Sequence, residues 1–119
     1  MKIVRDNSWE DGSLSVTAGA PESHYCIQAK ARQMNAGQWS CTAGEFDWTY
    51  GGDEIVSILE GGAYLTYAGK TQLVFAGDTV HFKRGTTVHW RIEKHIRKFW
   101  VIGAPTLLER VVHFFRKTK

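Results

Sequence analysis

"FDWTYGGDEIVSILEGG", residues 46 to 62, decides the fold. Trp48 and Tyr50 alternate along a strand, a Gly51-Gly52 turn follows, Asp53 and Glu54 come next, and an apolar run ends at Gly61. Period-two alternation sets Trp48 and Tyr50 on one face of a half-buried strand. Neighbouring strand residues point to opposite faces, so only one of Asp53 and Glu54 turns inward. The pair is therefore not a two-carboxylate glycosidase site.

Outward from this stretch the same grammar repeats. "QWSCT", "EFDWTY", "EIVSILE", "AYLTYA", "KTQLVF", "DTVHFK", "TVHWRI" and "RKFWVIG" each read as a short strand. "AGE", "GGD", "EGG", "AGK", "AGD", "KRGT" and "EKH" separate them as turn signals. Upstream, "YCIQAKAR" alternates, with Tyr25, Ile27, Ala29 and Ala31 against Gln28, Lys30 and Arg32, until "NAGQ" breaks it. Many short strands at this spacing predict an all-β sandwich or barrel. The tail "APTLLERVVHFFRKTK" changes period. Leu107, Leu108, Val111, Val112 and Phe115 share a helical face, and Thr106 with Glu109 forms a capping box. The expected layout is one domain: an N-terminal arm over 1–24, a barrel over 25–103, and a short C-terminal helix over 105–117.

The chain of 119 residues is 43% hydrophobic and 13% aromatic, which suits a packed core. Its formal charge of +3 is scattered rather than gathered into a stripe, which argues against nucleic acid as a partner. No apolar run approaches a membrane span. "MKIVRDNSWEDG" shows no apolar signal core. Cys26 and Cys41 form no CxxC pattern and read as reduced strand residues. The expected setting is cytoplasmic.

"GQWSCTAGEFDWTYGGDEIVSILEGGAYLT", "AGDTVHFKRGTTVHW" and "RKFWVI" resemble the cupin superfamily, and within it the small DUF861 (Cupin_3) group. That group includes domains related to ureidoglycine aminohydrolase and to ethanolamine-utilisation proteins. The resemblance implies a single RmlC-like jelly-roll β-barrel. It also implies a homodimer, with segment 22 to 36 as the exchanged piece. The general cupin pattern carries three histidines and a glutamate as metal ligands. Glu54 takes the acid position and Gly61 the closing glycine, while Gly77 and Gly85 keep the glycines of the second motif. The histidine positions fall on Trp48, Tyr50 and Val88, and the second motif's proline position on Lys83.

An indole has no lone pair for a metal, a phenol binds poorly unless ionised, and valine offers nothing. One carboxylate falls short of the ligand set of a catalytic zinc or iron. No metal and no other cofactor is expected. His89 should face away from the interior, His81 is a candidate neighbour of Glu54, and His24, His95 and His113 show no ligand spacing. What remains is an aromatic pocket of Trp39, Trp48, Tyr50, Glu54, Val88 and Trp90, in which the Trp48/Tyr50 and Val88/Trp90 faces look at each other across the barrel. Lys98 supplies a cation nearby. Among apolar rings a carboxyl resists ionisation, and the same rings attract ammonium groups.

Three functions compete. The first is binding of a small polar, carboxylate or amine metabolite without a metal. The second is a hydrolase, lyase or isomerase acting on a small nitrogenous metabolite, metal-assisted or not, with Glu54 as acid/base and Tyr50 and Lys98 as helpers. The third is a structural role with the interior packed solid, Glu54 being tied to Tyr50 or Lys98.

Overall fold

Alternating aromatic and β-branched residues draw most of the described chain into strands. The computed structural model describes residues 1–5 and 8–103. Eight strands run through them: β1 (Glu10–Asp11), β2 (Ser15–Ala18), β3 (Ser23–Lys30), β4 (Met34–Thr49), β5 (Asp53–Tyr67), β6 (Lys70–Phe75), β7 (Thr79–Phe82) and β8 (Thr87–Gly103). The described fold is all-β. No helix among the described residues is long and apolar enough to cross a membrane. The helix expected over 105–117 lies outside the described residues, as does His113.

Three strands are far longer than the short runs read from sequence. β4 has 16 residues, β5 has 15 and β8 has 17. The separators "AGE", "EGG" and "EKH" are not turns. The strands run through them and shift register there, between Thr42 and Gly44 on β4 and between Gly61 and Tyr64 on β5, opposite residues 91–96 of β8. Extra residues at a bulge bend a strand and move its inward-facing set by one position. The buried side chains are Trp39 and Cys41 on β4 before the bulge, Phe46 on β4 after it, and Tyr50 just past the strand's end. On β5 they are Glu54, Val56 and Ile58 before, and Ala63 and Leu65 after.

The bends lie at one level across three paired strands, so they fold a single sheet into two layers. In one layer β1, β3, the first half of β4, the second half of β8, the first half of β5 and β7 lie side by side. In the other, β2, the second half of β4, the first half of β8, the second half of β5 and β6 do so. The hydrogen-bonded path runs β1-β3-β4-β8-β5-β6, with β2 added at β4 and β7 at β5, and its ends do not join. The expected closed cylinder is therefore a sheet rolled on itself and left open. Two pieces of the N-terminal segment, expected as an irregular arm, are paired: β1 with β3 and β2 with β4. β3, inside the piece expected to be exchanged, pairs with β4 of its own chain.

Between the layers lies the core, where Val56, Ile58, Phe46, Trp90, Ile92 and Ile96 are almost fully buried. Cys26 and Cys41 are free and buried. Gly61 is what makes the bend in β5 practicable. Its φ is +70°, and a Cβ there would run into the His95 carbonyl oxygen. Gly61→Ala is expected to destabilise the fold by about 2 kcal/mol or more, since strain at positive φ and a backbone clash add together. Urea unfolding of the two proteins checks this, and an unchanged midpoint would show that the bend does not need the glycine.

Candidate functional site

The inner face of the first layer is a ladder of paired residues. Tyr25, Trp39, Lys98 and Ile58 form one row across β3, β4, β8 and β5. In the next inward-facing row Trp100 lies between Gly37 and Val56, and in the one after it Ile102 pairs with Glu54. Gly37 leaves room for the Trp100 ring, since a Cβ would lie 2.7 Å from it. Lys98 and Glu54 begin two rows apart and lean toward one another until Nζ donates to Oε2 at 3.4 Å. Both residues are buried.

The second layer supplies the opposite wall. Phe46 and Trp90 stack at 5.9 Å, and Trp39 meets each of them edge-on at 5.8 Å. The Lys98 ammonium stands over two of these rings, 4.7 Å from the Trp39 centroid and 4.8 Å from that of Trp90. Ring faces are electron-rich and attract a cation where water is excluded. Burial nevertheless pulls the Lys98 amine below the usual lysine range, with the Glu54 charge opposing. Tyr50 stacks on Phe82 at 4.3 Å and is 1% exposed. Burial, reinforced by Glu54, pushes its phenol far above the ordinary value, while Trp90 pulls in the other direction. The interaction with Trp90 falls short of hydrogen-bond geometry, so the Tyr50 hydroxyl has no partner among the described residues. The Ser23 hydroxyl is in the same position.

These groups enclose a pocket of about 260 Å³. Trp39, Tyr50, Glu54, Trp90 and Lys98 all line it. Trp48 does so from the rim, where it is 37% exposed. Val88 is buried but lines a different, broader concavity of about 840 Å³ with Leu65, Val74 and Phe82. The expected confrontation of the two strand faces is corrected by the pairing. β4 and β8 are neighbours, so Trp48 is the cross-strand partner of Val88 and Phe46 that of Trp90. The wall that faces them comes from the first layer. Phe46, Trp100, Tyr25 and Ser23 also line the pocket and were not singled out from sequence. Tyr25 was read on one strand face with Ile27, Ala29 and Ala31, but nothing in the sequence tied that strand to the pocket.

The donor set does not fit a metal. Glu54 contributes the carboxylate of the pocket and spends it on Lys98. The Tyr50 phenol stays protonated. Among the described residues no three His, Cys, Asp or Glu side chains cluster as ligands. His81 is exposed on β7 opposite Ile55, while its neighbour Phe82 turns inward beside Glu54. His89 lies on the outer face, as expected, with its ring nitrogens 2.8 Å from Asp47 and 3.0 Å from Glu45. His24 pairs with Asp11 and His95 with Glu60, both in solvent-exposed positions.

Comparison with known proteins agrees with this architecture. The family model of the EutQ-like cupin domain matches residues 28–100. The Clostridium difficile EutQ protein superposes with a TM-score of 0.67 at 16% identity, over 71% of this chain and 70% of that one. A DUF861 family protein from Thermotoga maritima is 34% identical over 53% of this chain and 73% of its own, with a TM-score of 0.51. A second Thermotoga maritima structure, described as a predicted oxalate decarboxylase, gives 0.71 at 16% identity over 87% of this chain and all of that one, 100%. At 16% identity the likeness concerns the fold. Among curated proteins, none matches the sequence.

Two outcomes follow from these contacts. Glu54→Gln should cost about 3 kcal/mol, because it leaves the Lys98 ammonium buried without its counter-charge. The double variant Glu54→Leu/Lys98→Met should recover most of that loss. A double-mutant cycle by denaturant unfolding checks both, and additive losses would refute the pairing. For His89, hydrogen bonds to Glu45 and then Asp47 raise the folded-state pKa. Its contribution is fully present below the unfolded value of about 6.5 and is lost as pH rises through the folded value. The stability gap between the protein and His89→Gln should therefore shrink as pH climbs above about 6.5. Melting temperatures across that range test it, and a gap that widens with pH would reverse the assignment.

Proposed function

The chain belongs to the EutQ-like cupin domain family, and on that premise we propose that it binds a small, flat metabolite with a carbonyl or carboxylate head, without using a metal. What carries this reading is the Tyr50 hydroxyl, which has no partner among the described residues and is buried in an aromatic pocket of about 260 Å³. A buried polar group left without a hydrogen bond costs on the order of 1–3 kcal/mol, and a ligand atom that satisfies it recovers that energy. The volume lies at the small end for ligand sites, and ring walls with a few polar anchors are their usual make-up.

The head group follows from the donors. Tyr50 and Ser23 offer hydroxyls and Lys98 offers an ammonium, whereas the Glu54 carboxylate is already engaged. Donors in excess favour an acceptor. Because Glu54 and Lys98 cancel one another, the pocket does not demand a full charge, and an amide competes with a carboxylate. The indoles of Trp39, Trp90 and Trp100 suit a planar body.

The close contact of Lys98 with Glu54 inside the pocket supports a second reading, an enzyme with Glu54 as acid/base and Tyr50 and Lys98 assisting. Replacement of Glu54 would abolish turnover under that reading and leave a ligand-binding pocket under the first.

Benzamide and benzoate serve as simple probes. Either should raise the melting temperature by mass action on the folded state. Tyr50→Phe should weaken binding about fivefold to tenfold, the worth of one hydrogen bond. Benzylamine, which presents donors to donors, should bind more weakly than benzamide. If neither probe shifts the melt at millimolar concentration, or if Tyr50→Phe binds as well as the parent, the proposal fails.

A further inference from the structure

A lysine held in an aromatic pocket against a carboxylate has more chemistry open to it than hydrogen bonding. We propose that Lys98 is a nucleophile that condenses with a small aldehyde or ketone to form a reversible imine, with Glu54 shuttling the protons. The inference rests on the reading that the pocket admits a small carbonyl compound, and it adds a covalent step to it.

Geometry carries the argument. Lys98 lines the pocket, is 7% exposed, and has its Nζ over two indole faces and 3.4 Å from Glu54 Oε2. An ammonium has no lone pair and cannot attack. The adjacent carboxylate, with Oε2 3.4 Å from Nζ, is placed to take its proton. Desolvation of a lysine in an apolar pocket is a recognised way to activate the amine. The groups that face Nζ come from three strands. On β4, the Cys41 thiol is pushed up to about 11 by burial and is protonated at neutral pH, and Tyr50, just past the end of that strand, is likewise protonated. Glu54 comes from β5 and Lys98 itself from β8. Glu54 is thus the proton acceptor within reach.

The step balances as follows. The Lys98 ammonium gives a proton to Glu54. The amine lone pair attacks the carbonyl carbon and forms the C–N bond while Glu54 returns that proton to the carbonyl oxygen, now a hydroxyl. The nitrogen, carrying an extra proton, passes it to Glu54. Glu54 then protonates the hydroxyl, the C–O bond breaks, and water leaves. The product is a protonated imine paired with the Glu54 carboxylate, so the charge at the start and at the end is the same. No oxidant or reductant takes part. The rings of Trp39, Trp90 and Trp100 limit water around the new bond and so slow its hydrolysis.

The test uses the full chain with benzaldehyde and sodium cyanoborohydride at neutral pH, followed by peptide mass spectrometry. The reductant fixes any imine as a benzyl adduct. Lys98 should be labelled faster than exposed Lys30, Lys70 or Lys94 by about tenfold or more, because burial holds its amine below the usual lysine range and so leaves more of it as free amine. Lys98→Arg should lose the selective adduct, and Glu54→Gln should slow it about a hundredfold, the scale of general acid–base assistance. If Glu54→Gln fails to fold, the labelling ratio in the unaltered protein still decides. Label spread over exposed lysines with Lys98 spared overturns the proposal. Benzoate, which cannot condense, separates the two ideas. A melting shift with benzoate but no Lys98 adduct leaves binding standing and sinks the imine. Neither effect sinks both.

Discussion

Three long strands have to bend at the same level for this molecule to have an interior. β4, β5 and β8 are each about three times the usual strand length. A straight sheet built from them would expose both faces to water. Register shifts on neighbouring strands make a shared crease, and Gly61 allows its tightest approach, to the His95 carbonyl. Past the crease the inward-facing set on β4 and β5 moves by one residue. That shift puts Phe46 and Trp39 on facing walls although both belong to one strand. The core, the pocket and the placement of every ring in it follow from the crease.

The rolled sheet encloses a volume that the family pattern would give to an ion, and this sequence fills the ligand positions with an indole, a phenol and an isopropyl group. The carboxylate that remains cannot stand alone in such surroundings, because an unpaired buried charge is far costlier than a paired one. Lys98 answers it from two rows away, steadied by Trp39 and Trp90. An organic cation faces the carboxylate, and that pair sets what the site can do. The site presents a proton pair, ring faces and two hydroxyls without partners among the described residues.

Much of this was legible in the residues. Period-two alternation marked the strands, and the inward turn of Tyr50, Glu54 and Trp90 and the outward turn of His89 all obey it. Alternation fixes faces only while register holds, and register shifts leave a weak mark in sequence. "AGE", "EGG" and "EKH" look like turns because glycine and polar residues serve bulges and turns alike. Eight short runs were therefore read where three long strands and a few short ones exist. Phe46 shares the face of Trp48 and Tyr50 by alternation but was not read as a wall, since the bulge at Gly44 is what brings that face against Trp39.

What the sequence determined by itself is the inventory: a β-rich chain of one family, a ligand set emptied of imidazoles, and a glutamate, a tyrosine and a lysine in the matching segments. What the tertiary structure decided is who meets whom. Side-chain pattern along a strand reports which face a residue takes, but the strand beside it is chosen by long-range pairing. Sequence therefore set Trp48 opposite Val88 across an interior, while the fold makes them neighbours in one ladder and brings Trp39, Glu54 and Lys98 to face Phe46 and Trp90. The contact of Lys98 with Glu54 spans 44 positions of chain, and only the crease in the sheet, which no local pattern encodes, lets the two side chains reach each other.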